Sequence, residues 1–176
     1  MQNLPDIIDV EASGFGRGSY PIEVGVALAS GQTACFLIRP FDDWTHWTAE
    51  AESLHQISRA VLVSHGHPPQ LVALTLNELL AGRVAYTDAW GVDSAWLALL
   101  HERVGVPARY KIETLTALLN EAQRDAWADL KDRARAEMGL TRHRASADAL
   151  VLQRAYASSV GARAADPLSA AKPESF

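Results

Sequence analysis

Asp9 and Glu11 are two carboxylates two residues apart, in a run (residues 5–11, Pro-Asp-Ile-Ile-Asp-Val-Glu) whose alternation and β-branched residues predict a strand. Strand side chains alternate faces, so both carboxylates point the same way, with Ile7 beside Asp9 and with Ile8 and Val10 on the other face. Like charges side by side at the end of an apolar strand are costly unless a cation neutralises them. Two solvated surface acids are the plain alternative. Asp93 opens a run, Asp-Ser-Ala-Trp-Leu, that predicts the start of a helix, where a routine N-cap would also explain an aspartate. His143 and Asp148 lie in His-Arg-Ala-Ser-Ala-Asp, before and within a last helix. Five residues of continuous helix turn about 500° and would part the two side chains. They converge if His143 sits in the turn and Asp148 in the first helical turn, with Ser146 as the N-cap. A surface histidine and a dipole-favoured aspartate form the competing explanation.

These residues need a scaffold. Residues 12–19 are a glycine-rich turn; 21–29 read as a second strand, Ser30-Gly31-Gln32 as a hairpin signal, and 33–38 as a third strand, giving a three-stranded meander. Residues 40–54 are a loop or short helix containing Trp44 and Trp47. Helices are expected over 54–64 and 68–81, a short strand over 83–87, a helix over 93–104, and a last strand over 109–112. Residues 113–138 are helix-prone throughout, with Gly139 suited to the C-terminus, and 146–159 form a last helix. A meander followed by alternating strands and helices predicts an α/β domain with a mixed central sheet of about five strands flanked by helices. Residues 1–160 are expected to form the domain and 161–176, rich in Ala, Pro and Ser, a flexible tail.

The chain has 176 residues, enough for one domain with a substantial core, and 48% are apolar. Its net charge of −5 excludes coating nucleic acid by bulk attraction. The charge is uneven: residues 1–100 carry 4 Lys/Arg against 11 Asp/Glu, residues 101–160 carry 10 against 8. Divalent ions bound where the acids gather would reverse the local sign. Cys35, the one cysteine, lies in an apolar run and predicts a buried thiol; it excludes an internal disulfide. The N-terminus lacks the blocks of a signal peptide, and no apolar stretch approaches a membrane span, so a cytoplasmic protein is expected. His65 and His67 form a His-x-His pair without a nearby third ligand, a weak metal motif.

Read together, Asp-x-Glu on a first strand, Asp at a mid-chain helix and His-x₄-Asp at a final helix resemble the three motifs of the DEDDh exonuclease superfamily, which includes the polymerase proofreading subunit, ribonuclease T and oligoribonuclease. The resemblance covers about residues 5–158. Asp9-Val-Glu11-Ala-Ser13-Gly14-Phe15 is similar to the family's opening Asp-x-Glu-(Thr/Ser)-(Thr/Ser)-Gly. Leu54-His55-Gln56-Ile57-Ser58 is similar to its His-Gly-Ile-(Ser/Thr) element, and His143-Arg-Ala-Ser-Ala-Asp148-Ala to its His-Arg-Ala-x-x-Asp-Ala segment. Three positions depart from the pattern. Asp88 stands where the family carries Asn, Val92 stands in place of the usual aromatic, and Gln56 replaces Gly. Asp88 is thereby a rival to Asp93 in the second motif; Asp93 is preferred because a helix with a strong apolar stripe follows it directly.

The resemblance implies a ribonuclease-H-like fold and a metal-dependent 3′→5′ exonuclease that releases nucleoside 5′-monophosphates from single-stranded DNA or RNA 3′ ends. It implies two Mg²⁺ or Mn²⁺ ions held by Asp9, Glu11, Asp93 and Asp148, with Asp9 bridging and His143 as general base. Ser13, Gly14 and Phe15 would hold the terminal nucleotide, Phe15 by stacking, with a loop aromatic folded onto the core as the competing reading of Phe15. Arg142 and Arg144 flank the proposed general base and are candidates to contact phosphate, with solvated surface arginines as the competing reading; Trp44, Trp47 and Trp90 are further stacking candidates, each read first as core. Several members of the group are homodimers, which makes a homodimer an expectation here without a legible surface. The competing expectation is a non-catalytic nucleic-acid-binding module on the same fold.

Overall fold

The computed structural model describes residues 4–140 and 143–164. Five strands, β1 (Asp6–Ala12), β2 (Pro21–Ala27), β3 (Thr33–Leu37), β4 (Val84–Thr87) and β5 (Lys111–Thr114), form one sheet in the order β3-β2-β1-β4-β5. The meander β1-β2-β3 is antiparallel, and β4 and β5 join it in parallel. Among the described residues seven α-helices flank the sheet: α1 (Ala49–His55), α2 (Arg59–His65), α3 (Pro69–Leu79), α4 (Trp90–Val104), α5 (Glu121–Asp125), α6 (Trp127–Met138) and α7 (Ala145–Ala164). The mixed α/β sheet is the architecture expected from the sequence.

Strand alternation splits the core into two layers. Ile8 and Val10 of β1, with Ile22, Val24 and Val26 of β2, face α3 and α4 and pack on Val72, Leu76, Leu97 and Leu100. Ile7 and Ala27 face the other way, onto Leu115, Ala149, Leu152 and Ala155. Each such buried aliphatic side chain contributes roughly 1.5–3 kcal/mol. The second layer is the one that matters for chemistry, because Asp9 and Glu11 continue the row begun by Ile7. Across the antiparallel pair Asp9 stands opposite Gly25, and Glu11 opposite Glu23.

Several boundaries differ from the expected ones for local reasons. No helix runs continuously from residue 54: α1 ends at His55, Gln56 takes a left-handed conformation (φ 58°), and the Ser58 side chain accepts from the Val61 N–H to start α2. The helix-prone stretch 113–138 is broken. Its first residues complete β5, 115–118 make a 3₁₀ turn, and Asn120 with Gln123 forms a capping box that begins α5. The last strand is Lys111–Thr114, displaced towards the C-terminus from the expected 109–112. Helix α7 runs on to Ala164, five residues past the expected end. The rest of the expected tail, 165–176, lies outside the described residues. Cys35 is exposed, since β3 is an edge strand, and its Sγ–H donates to Glu23 Oε1 at 3.3 Å. Among the described residues no helix is long and apolar enough to cross a membrane.

Candidate active site

The side of the sheet that carries Asp9 and Glu11 is closed by the first turns of α7, and their approach depends on two residues of β2. A Cβ built on Gly25 would lie 2.2 Å from the Ala145 carbonyl carbon, so only glycine lets the backbone of α7 come this near the strand. Glu23, fully buried beside it, caps that helix from outside. Its Oε2 accepts from the Ala145 N–H at 2.8 Å, and its Oε1 accepts from Arg144 Nη2 at 2.7 Å. A charged acceptor at a helix N-terminus satisfies an otherwise orphan donor and complements the helix dipole. Ser146, expected as the cap, lies inside the helix; the Arg144 carbonyl accepts the first helical bond, from the Asp148 N–H.

His143 precedes the helix with φ 61°, a left-handed conformation uncommon for a side-chain-bearing residue. Asp148 reaches back one turn, its Oδ2 accepting from the His143 N–H at 2.8 Å. A turn residue followed by a first-turn aspartate thus brings the two together. Glu11, His143 and Asp148 each offer a ligand atom, and the three atoms lie within 4.8 Å of one another.

Asp93 arrives from the opposite direction. Helix α4 begins at Trp90, three residues before the expected start, so Asp93 is in its first turn and does not cap it. Its side chain is buried, and Oδ2 accepts from the Thr87 hydroxyl, whose oxygen accepts from the Ala89 N–H. Asp88 pairs instead with Lys131 of α6 at 2.7 Å. Asp9, Glu11, Asp93, His143 and Asp148 therefore line one cleft of about 350 Å³, although they come from three separate stretches of the chain.

The electrostatics of that cleft are those of an acid cluster without enough counter-charge. Burial, then Asp93, Glu11 and Asp148, push the Asp9 carboxyl well above the usual carboxylate range. Glu11 is raised to about 8, by burial first and then by Asp148 and Glu23. Asp93 is raised to about 7, mainly by burial, against the lowering effect of Thr87. Several carboxyls at one point, each held towards its protonated form, are what a divalent cation with a preference for hard oxygen ligands would reverse. The donor set fits such ions.

Gly14 and Phe15 line the cleft. Gly14 (φ 144°) touches Thr48 and His46 so closely that a Cβ there would clash, and Phe15 is 72% exposed with its ring 5.9 Å from Trp96. Leu54, half exposed, and Val92 complete an apolar border. Ser13 is buried and does not line the cleft: its hydroxyl accepts from the Tyr20 N–H and bonds His46 Nδ1, which pins the loop that carries Gly14. Arg144 is held by Glu23 and does not line the cleft either. Arg142 lies outside the described residues. Trp44 is core, stacked on Tyr20; Trp47 is partly buried and donates to Glu52; Trp90 is exposed, donating to the Ile112 carbonyl away from the cleft. His65 bonds Ser64, and the His67 backbone bridges to Leu37 and Arg39; neither belongs to a candidate metal group among the described residues.

Three further cleft residues carry no warning in their sequence neighbourhoods: Trp96 sits in a helical apolar stripe, and Lys131 and Arg135 are cations on a helix. His55, which stands in the His-Gly-Ile-like element, also lines the cleft, its Nδ1 accepting from the Ile57 N–H. That bond places the proton on Nε2, which is buried without a partner among the described residues, and burial lowers the ring's pKa, so the ring is a neutral donor.

No protein-family model and no curated protein matches the sequence. Solved structures do match. The chain is similar to E. coli Exonuclease I in complex with a dA16 oligonucleotide, with a TM-score of 0.70 at 16% identity over 92% of this chain and 41% of that one. It is similar to S. pombe Pop2p in its Mg²⁺- and Mn²⁺-bound form, with a TM-score of 0.64 at 17% identity over 87% of this chain and 81% of that one. A moderately thermophilic Exonuclease I from Methylocaldum szegediense matches with a TM-score of 0.69 at 13% identity, over 90% of this chain and 40% of that one. The chain thus spans about two fifths of the Exonuclease I length. At these identities the likeness establishes the fold, the ribonuclease-H-like α/β fold that these proteins share.

Proposed function

We propose that this protein is a metal-dependent 3′→5′ exonuclease that removes nucleoside 5′-monophosphates from single-stranded nucleic acid. The observation that carries the reading is the convergence of Asp9, Glu11, Asp93, Asp148 and His143 on one cleft. The fold supports it: one structural neighbour is described in complex with an oligonucleotide and another in a Mg²⁺- and Mn²⁺-bound form.

Asp9, Glu11, Asp93 and Asp148 would hold two Mg²⁺ or Mn²⁺ ions, which when bound supply an activated water and stabilise the leaving oxyanion. His143 takes the attacking water's proton, a role that suits an imidazole held beside Glu11 and Asp148 by its own backbone bond. Glu23 and Arg144 keep that turn in place, and Arg144 acts there as a positioning residue. Gly14 lets the chain approach the terminal nucleotide closely, and Phe15, Leu54 and Val92 offer an apolar border on which its base rests whatever its identity. Ser13 shapes that loop through His46 and Tyr20.

A 5′-labelled single-stranded DNA and its RNA counterpart, incubated with Mg²⁺ or Mn²⁺, should shorten one nucleotide at a time from the 3′ end. EDTA and His143→Ala should each stop the shortening. Internal cuts would refute the polarity, and binding without shortening would favour a non-catalytic nucleic-acid-binding module.

A further inference from the structure

Helix α6 places two cations where its buried stripe calls for apolar residues. Trp127 and Ala134 are buried on that stripe, and Lys131 and Arg135, one turn apart, lie between and beside them. Their side chains are only 29% and 18% exposed, both line the cleft, and each holds an acid across it at 2.7 Å: Lys131 on Asp88, Arg135 on Asp148. Solvated helix cations do not bury themselves this way, because desolvating a charge is costly without a purpose.

The carboxylate of Asp148 has both oxygens engaged. Oδ2 holds the His143 N–H, a bond set by the backbone of the turn, while Oδ1 holds Arg135 Nη1. A divalent cation that coordinates Asp148 competes with the guanidinium, the more mobile of the two partners. Arg135 also has a buried Nε–H with no acceptor among the described residues, so part of its planar donor fork is already unused. A displaced guanidinium whose side chain is mostly buried favours an anion with several acceptor oxygens, and a phosphodiester matches that fork.

We propose that Arg135 is a resident counterion which Asp148 exchanges for a divalent cation, and that Arg135 and Lys131 together then form a phosphate-binding stripe for a nucleic-acid backbone. The first half rests on the cation site proposed above but not on nuclease activity; the second rests on the exonuclease reading.

The test uses the full chain. Calorimetric titration with Mn²⁺, without nucleic acid, should show Arg135→Gln binding the ion on the order of tenfold more tightly than the parent, because the competing cation is gone. Arg135→Lys, which keeps the charge, should stay near the parent value and guards against a folding defect. Unchanged or weaker Mn²⁺ binding by a folded Arg135→Gln would overturn the exchange. Binding of a fluorescein-labelled single-stranded oligonucleotide with Mn²⁺ is then read in a His143→Ala background, so that the strand survives. Arg135→Gln and Lys131→Met should each weaken it about tenfold and reduce the slope of log K against log salt by about 0.7, one phosphate contact apiece. An unaltered slope would overturn the stripe. A parent protein that binds Mn²⁺ but no oligonucleotide would sink the exonuclease reading and the stripe with it, while the Mn²⁺ titration still judges the exchange.

Discussion

Asp9→Asn should abolish metal-dependent nuclease turnover, by at least about a thousandfold, and yet raise the melting temperature of the protein in EDTA at pH 8. The loss follows if Asp9 is the shared ligand of the cation pair, since a neutral amide is a far weaker ligand for hard divalent cations than a carboxylate. The gain follows from the acid cluster. In the folded chain Asp9 is held well above the usual carboxylate range, Glu11 at about 8 and Asp93 at about 7. A raised folded pKa means that the folded state holds protons the unfolded state has already released. The stability of the metal-free protein is therefore fully present below about pH 4, where unfolded carboxyls are still protonated, and drains away as pH rises through 7 and 8. An uncharged amide at position 9 removes one member of the repelling set and should flatten that decline. Saturating Mg²⁺ should flatten it in the parent as well, because cation binding favours the deprotonated acids. Melting curves from pH 5 to pH 9, with EDTA and with Mg²⁺, check both. A metal-free melting temperature that rises across this range would contradict the electrostatic account.

Gly25→Ala should cost about 3 kcal/mol of stability and most of the activity, an effect far larger than its one methyl group suggests. The added carbon would lie 2.2 Å from the Ala145 carbonyl carbon and 2.3 Å from the Ser146 nitrogen, both backbone atoms that cannot rotate away. Relief requires α7 to lift from the sheet. That movement carries His143 and Asp148 away from Asp9 and Glu11 and pulls Ala145 off its Glu23 cap. The comparison is Gly31→Ala in the β2–β3 hairpin, where φ is 88° but nothing lies within 4 Å; that change should cost about 1 kcal/mol and leave turnover near the parent value. Denaturant unfolding and oligonucleotide turnover measured on both variants separate displacement of the helix from simple backbone strain. Equal losses in the two would remove the close approach at Gly25 as their cause.

How much of this was legible in the sequence depends on the range over which the cause acts. Alternation along residues 5–11 put Asp9 and Glu11 on one face, and a local turn before a helix put His143 beside Asp148; both are short-range effects, and the structure shows both. Asp93 is favoured over Asp88 in the sequence because an apolar helical stripe follows it directly. What the sequence does not carry is the surroundings of the two: the first turn of α4 buries Asp93 against Thr87, and Lys131, more than 40 positions away, pairs with Asp88. Arg144 reads as a phosphate contact because its buried partner Glu23 is 121 residues distant and looks like one more strand acid. Ser146 reads as a cap because capping is ordinarily local, whereas here the acceptor comes from β2. Cys35 reads as buried because an edge strand and a central strand share the same apolar composition. The break within 113–138 is a local miss, as is the one at Gln56: Asn120 and Gln123 are a capping signature inside an otherwise helical pattern, and Ser58 caps α2 in the same way.

The central claim is that the carboxyls of Asp9, Glu11, Asp93 and Asp148 enclose a cation pair beside His143. Crystals grown with Mn²⁺ and recorded at the manganese absorption edge address it without reference to turnover. Two anomalous peaks about 4 Å apart, both within coordination distance of these acids, are the predicted result. Peaks on other residues, or a fully formed cleft that takes up no manganese while its carboxyls remain paired with one another and with Arg135, would contradict it.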